Sequence, residues 1–315
     1  MKKRKVLPVG SAKVKFSQDY AFITSTMYSD ESFQNWILNN LIQVYYTPKK
    51  YHENKYELSF YYMGIEVNPI NNIPLFDHQV IKMNLIKECK INILNLTKKL
   101  LDEDYYVTNT LDEFYLSIRS SYKKEHKEHG ILIYGYDDYT RMIYTAGYDA
   151  RGHFNCNCIP YDIYTVSFQN TQRNSRISCF RRNSFKCDID IELIKDLLKD
   201  FYKSFNTSTR YRMIRNPIED SVWGLNAFSK LCDEKDEKYY YMLYEYVMLM
   251  KMRANKFMLF DIEEKLNDLN KEAQILQNLL LKSYFNKEYR SDVEKKTCAI
   301  LEALGENVQS MLDRM

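Results

Sequence analysis

The period of the apolar positions changes near residue 188. Before it, short apolar runs alternate with turns; after it, long helical patterns dominate. Trp36, Ile37, Asn40, Leu41 and Val44 recur at helical spacing within residues 33–46. Ser29 is placed to cap that helix, and Asp30 and Glu31 suit its first turn. Residues 56–67 are aromatic and β-branched but alternate poorly, so they read as a strand or as part of a helical hairpin. Residues 91–102 read as an amphipathic helix, and 105–108 as a strand. The stretch 129–136 is almost continuously apolar, as a buried central strand should be. Asp137 and Asp138 turn the chain, 141–146 returns as a second strand and 153–158 follows as a third. The three form an antiparallel meander that begins at His129.

In the second part, residues 188–205 form an amphipathic helix, and Pro217 opens the next, which runs through 223–228. From 238 to 283 the pattern is helical and free of Pro and Gly; a break at Asn286 precedes a last helix over 289–311. Tyr239, Met242, Leu243, Tyr246, Val247, Leu249 and Met250 give a broad apolar surface, expected as bundle core or as a homodimer face. Between the two parts, 171–187 is basic and Ser-rich and reads as a linker, an edge strand or an anion-binding surface. The expected division is an α+β domain over 1–187 and a helical domain over 188–315.

Composition narrows the function. The chain has 315 residues, 45% apolar and 28% charged, enough to bury a sizeable core. A formal net charge of +3 excludes the strongly basic character of a nucleic-acid binder, so no nucleic-acid partner is expected. Residues 1–6 are basic and read as a frayed terminus. No secretory apolar core follows them, and no run reaches the ~18 apolar residues of a membrane span, so no membrane partner is expected. The seven Cys are odd in number and scattered, which predicts free thiols in a reducing cytoplasm. No Gly-rich phosphate loop appears, and no cofactor is expected.

The candidate chemistry centres on His129. A helix start near Ser32 supplies a hydroxyl where aligned peptide dipoles favour negative charge. His129, at a strand start, is the candidate base, and Asp149, after the next strand, the candidate acid that orients it. Asp137 and Asp138 read as turn residues, and His126 as solvated within its charged run. His153-x-x-Cys156-x-Cys158, with His126-x-x-His129 upstream, holds zinc-type ligands at unusual spacing; no metal is expected there.

The motif His129 to Asp137, followed by Ile143-Tyr144-Thr145, resembles the His strand of bacteriocin-processing papain-like peptidases. More closely, the layout is similar to the butirosin acyltransferase family and to the related amide-forming enzyme of closthioamide assembly. The segment Tyr105 to Leu116 (YYVTNTLDEFYL) and the helix Trp223 to Phe228 resemble the same group. The resemblance covers residues 18–170 and extends weakly into the bundle. It implies a papain-like α+β fold, a helix on an antiparallel sheet, followed by a helical bundle. It also implies transfer of an acyl group from the phosphopantetheine thioester of a carrier protein to a small amine, in natural-product assembly. Arg151, Arg173, Arg176, Arg181 and Arg182 are the expected contacts for an acidic carrier. The family opens its helix with Cys; the aligned position here is Ser32, no Cys occurs before Cys89, and Thr26 stands where a Gln is usual. Ser32 is then a Ser nucleophile, a replacement for Cys, or a plain helix-start residue. The alternatives to a transferase are an inactive scaffold or binding protein and a thioester or peptide hydrolase.

Overall fold

The computed structural model describes residues 3–52, 55–61, 73–171, 176–207, 220–234 and 236–315. It is an α+β structure with antiparallel sheets and a helical C-terminal region. It divides into two compact units: Met1–Asp30 with Asn68–Lys186, and Glu31–Val67 with Cys187–Met315. Residues 31–67, expected with the first domain, thus group with the C-terminal region.

The first unit holds β1 (Arg4–Val6), α1 (Gln18–Thr26), β4 (Phe76–Lys82), α3 (Met83–Glu88), α4 (Ile93–Asp102) and β5 (Tyr106–Asp112), elements being numbered along the whole chain. It continues with β6 (Glu128–Asp137), β7 (Met142–Tyr148), β8 (Phe154–Pro160), α5 (Tyr161–Gln169) and β9 (Arg176–Arg182). The strands make one sheet in the order β4-β9-β5-β6-β7-β8, with β1 also pairing with β6. Every pairing is antiparallel. The apolar run at the centre of β6 explains its place: Ile131, Leu132 and Ile133 are all at most 1% exposed, because both faces of the sheet are covered.

Side chains alternate along a strand, so Gly130 and Ile131 face opposite ways. Helix α1 covers the Gly130 side: a Cβ on Gly130 would stand 2.6 Å from Gln18 Nε2, and the Phe22 and Phe154 rings lie 6.1 Å apart. On the Ile131 side, its cross-strand partner Asn109 donates to Tyr164 of α5 at 3.1 Å. The same hydroxyl is 2.8 Å from Thr97 of α4. Helix α4 starts at Asn92, whose side chain accepts from Asn95 N, and buries Ile93, Thr97 and Leu101 at four-residue spacing.

The segment 171–187, expected as linker, edge strand or anion-binding surface, contains β9 inside the sheet, between β4 and β5. Ile177, Cys179 and Phe180 are each at most 1% exposed, the signature of an interior strand that its flanking arginines conceal.

In the second unit, α2 (Glu31–Asn40) leads into β2 (Val44–His52) and β3 (Lys55–Phe60). The C-terminal part adds α6 (Ile191–Tyr202), β10 (Val222–Trp223), α7 (Gly224–Ser229), α8 (Leu231–Glu234), α9 (Glu237–Lys256), α10 (Phe260–Phe285) and α11 (Tyr289–Arg314). The helix expected over 33–46 stops at Asn40, and Val44 to Tyr46 belong to a small sheet ordered β10-β2-β3. The helix start expected at Pro217, and the end of the 56–67 segment, lie outside the described residues.

Arg253, fully buried on α9, explains where α2 ends. Its guanidinium donates to Leu38 O at 2.9 Å, Ile37 O at 3.2 Å and Leu41 O at 2.8 Å. Leu38 O and Leu41 O are carbonyls of the kind a helix end leaves without intrahelical partners, while Ile37 O also accepts from Leu41 N at 3.0 Å. Burial pushes the Arg253 pKa down to about 10, still high enough to keep the guanidinium charged at neutral pH. Beside it, Tyr246 stacks on Phe201 with centroids 4.6 Å apart and meets Phe228 edge-on at 5.2 Å.

The helical pattern over 238–283 is broken at Met258, which takes φ +59° between α9 and α10. Leu259 N donates to Ala254 O and Met258 N to Asn255 O, a helix stop of the kind glycine usually occupies. No Gly or Pro marks the break.

Replacing Arg253 by Met removes the guanidinium donors from Leu38 O and Leu41 O, so unfolding in urea is expected to show a loss of about 2–4 kcal/mol. The Tyr246 hydroxyl is buried and has no hydrogen-bond partner among the described residues. Tyr246→Phe is therefore expected to leave the urea midpoint unchanged or raise it, by up to about 1 kcal/mol.

Candidate active site

His129 is the second residue of β6, paired across the sheet with Leu111 of β5. Its alternation places it with Ile131, on the face away from α1. The ring is 40% exposed, and its Nδ1 lies 2.9 Å from Glu113 Oε1. Glu113 opens a single 3₁₀ turn, Glu113–Tyr115, directly after β5, and the Asp112 carboxylate caps that turn by accepting from Phe114 N. The sequence therefore swings the Glu113 side chain off the end of one strand and onto the start of the next.

The Glu113 side chain is only 4% exposed. Burial alone would raise its pKa. The hydrogen bond with His129, the charges of Arg119 and His129 and the hydrogen bond with Ser121 outweigh burial and hold the carboxyl below its ordinary range. An ionised carboxylate only accepts, so Nδ1 carries the proton and Nε2 keeps the lone pair when the ring is neutral. Nε2 is then the basic atom of an oriented, partly exposed imidazole.

Arg119 completes the cluster. Its Nε lies 3.5 Å from Glu113 Oε1, an ion pair too long for a good hydrogen bond. Its Nη2 donates to Gly130 O at 3.0 Å and its Nη1 to Tyr148 O. Burial lowers the Arg119 pKa, while the charges of Glu113 and Asp149 work the other way.

Asp149, expected to orient His129, has its carboxylate in the turn between β7 and β8. It accepts from Arg151 N at 2.8 Å, His153 N at 2.9 Å and Asn155 Nδ2 at 2.8 Å. The hydrogen bond from His153 N, with those from Arg151 N and Asn155, outweighs desolvation and holds the carboxyl below its ordinary range. The acid on His129 Nδ1 is thus Glu113. The physical reason is proximity across a strand pair: Glu113 follows the residue that faces Glu128 in the β5–β6 register.

Ser32 is the second residue of α2, half-buried, and belongs to the second unit, whereas His129 and Asp149 belong to the first. Helix α1 is the one that lies against the His129 strand, with Gln18 at its first turn. His126 is exposed, as expected, while its Nδ1 pairs with the buried Asp112 at 2.6 Å and its ring stacks on Phe114 at 4.4 Å. Cys156 and Cys158 are exposed thiols on β8. Among the described residues no group of three or more His, Cys, Asp or Glu is placed to hold a metal ion.

Of the arginines expected to meet a carrier, Arg181 pairs with Asp77 at 3.1 Å and Arg182 with Asp30 at 2.8 Å. Both pairs line a groove of about 840 Å³ together with Tyr106 and Asp104. It lies at the other end of β5 from Leu111, about 17 Å along the strand from the level of His129. Arg151 and Arg176 are exposed, and Arg173 lies outside the described residues.

Compared with models of known protein families and with curated proteins, the chain matches none.

Glu113 and Arg119 were missed by the sequence reading. The signal for Glu113 is the acid pair Asp112-Glu113 closing a β-branched strand just ahead of the His strand; nothing marks Arg119 among 45 Lys and Arg.

Because the Glu113 carboxyl is held below its ordinary value, the stability it contributes is complete above the unfolded-state pKa of about 4.5. It is lost as pH falls through the lower folded-state value. The melting-temperature gap between wild type and Glu113→Gln is expected to be constant at neutral pH and to shrink on acidification below that value; a gap independent of pH contradicts this. Asp149→Ala is expected to lower the melting temperature by opening the turn while leaving the His129 imidazole NMR signals in place.

Proposed function

We propose that the chain is an acyl-transfer enzyme on a papain-like frame, with His129 as its general base and Glu113 as the acid that orients it. The observation that carries this reading is the 2.9 Å contact from His129 Nδ1 to an almost fully buried carboxylate, which leaves Nε2 free to take a proton from a substrate. The motif from His129 to Asp137, with its likeness to amide-forming enzymes, supports the reaction class.

In this scheme the donor is an acyl thioester on the phosphopantetheine arm of a carrier protein. An amine attacks the thioester carbonyl as His129 Nε2 takes the amine proton. The C–N bond forms, the C–S bond breaks, and the imidazolium returns the proton to the departing thiolate. Exclusion of water from the site directs the product to amide rather than acid. The exposed Arg151 and Arg176 supply positive charge for an acidic carrier surface.

A second reading, a papain-like scaffold without catalysis, is favoured by one observation: no Cys precedes Cys89, so the family's usual nucleophile is missing.

The test is amide formation from an acyl-phosphopantetheine thioester and a panel of small amines, followed by mass spectrometry. Wild type is expected to form amide, and His129→Ala to lose about 10²-fold or more of the rate. Ser32→Ala is expected to retain the rate. Free acid without amide identifies a hydrolase. Neither product leaves the scaffold reading.

A further inference from the structure

Arg119 stands where a surface-loop arginine has no ordinary reason to be. It follows the 3₁₀ turn, yet it is 5% exposed. Each part of its guanidinium meets a different piece of the His129 surroundings. Nη2 donates to the carbonyl of Gly130, the residue after His129, and Nη1 to the carbonyl of Tyr148, at the end of the neighbouring strand. Nε faces the Glu113 carboxylate that His129 also contacts.

The sheet makes room for it. At Gly147 a Cβ would stand 3.0 Å from Arg119 Nη2 and 3.7 Å from Ile131 Cγ1. Gly147 thus leaves open, on the face that carries His129 and Ile131, the space the guanidinium fills. Burying a guanidinium is costly unless its donors are met; here Nη1 and Nη2 donate to two main-chain carbonyls, while Nε makes only the 3.5 Å ion pair with Glu113.

Building on the reading of His129 as a base, we infer that Arg119 is a positioning residue. It holds the Glu113 carboxylate on Nδ1 and ties the backbone on both sides of the site, and so decides which ring nitrogen of His129 carries the proton. It touches no reacting atom itself. The planar fork suits this task, because a Lys ammonium has no fixed pair of donors to span the two carbonyls.

Other charges surround the ring. Glu128 precedes it on β6, the Asp112–His126 pair adjoins it across the β5–β6 register, and Asp149 acts on Arg119 from the β7–β8 turn. Asp19 follows Gln18 on α1. All are common to the variants below, so differences among those variants report on Arg119.

The test is ¹⁵N NMR of the His129 imidazole, which reads its tautomer and needs no turnover. In wild type, ¹⁵N shifts of the neutral ring are expected to report a proton on Nδ1. In Arg119→Gln the Nδ1–H preference is expected to weaken, because Glu113 loses the guanidinium that holds it. Gly147→Ala, which crowds the guanidinium without removing it, is expected to move the ring signals in the same direction, and it serves if Arg119→Gln does not fold. A wild-type tautomer in a folded Arg119→Gln, or in Gly147→Ala where that alone folds, overturns the inference. Failure of amide formation in wild type ends the proposed reaction but leaves this result standing.

Discussion

A buried positive charge organises the second unit. Arg253 places an always-charged group where no water reaches, and it is tolerated because its donors meet main-chain carbonyls at the end of α2. The interaction settles two needs at once: the guanidinium is solvated by main chain, and the helix end is capped by a side chain more than two hundred residues later in the sequence. Because that contact is internal to the unit, residues 31–67 cannot be detached from the C-terminal helices without exposing both partners. The aromatic cluster of Phe60, Phe201, Phe228 and Tyr246 reinforces the grouping, since it too draws on both parts of the chain.

The first unit rests on a comparable device with a different outcome. Arg119, Glu113 and His129 form a chain of charge from the sheet interior to a half-exposed ring. Here the guanidinium is balanced by a carboxylate, and the carboxylate in turn fixes an imidazole. One cluster ends in a capped helix and is structural; the other ends in a free nitrogen lone pair at the surface. That difference, rather than the fold class, makes His129 a candidate for chemistry.

Much of the first unit was legible because its signals are local. The apolar run of β6, the turn at Asp137, the return of β7 and the third strand β8 follow from alternation and turn residues over a few positions. The acid on His129 was not legible in the same way. Asp149 has the right distance in sequence, but Asn155 and the amides of Arg151 and His153 surround it first. Glu113 lies on the preceding strand, and only the antiparallel register brings it to the ring. The interior place of β9 was not legible, because its arginines dominate the composition, while burial depends on which neighbours cover it.

The sequence by itself determined an α+β chain with a meander starting at His129, an amphipathic helix ahead of β5 and a helical C-terminal region, because periodicity is written into neighbouring residues. Tertiary structure alone decided which segments share a unit, where α2 and α9 stop, and which carboxylate orients His129. Those outcomes depend on contacts between residues far apart in the chain. A buried guanidinium or carboxylate finds its partner only once the strands and helices are packed, and no local pattern encodes that meeting.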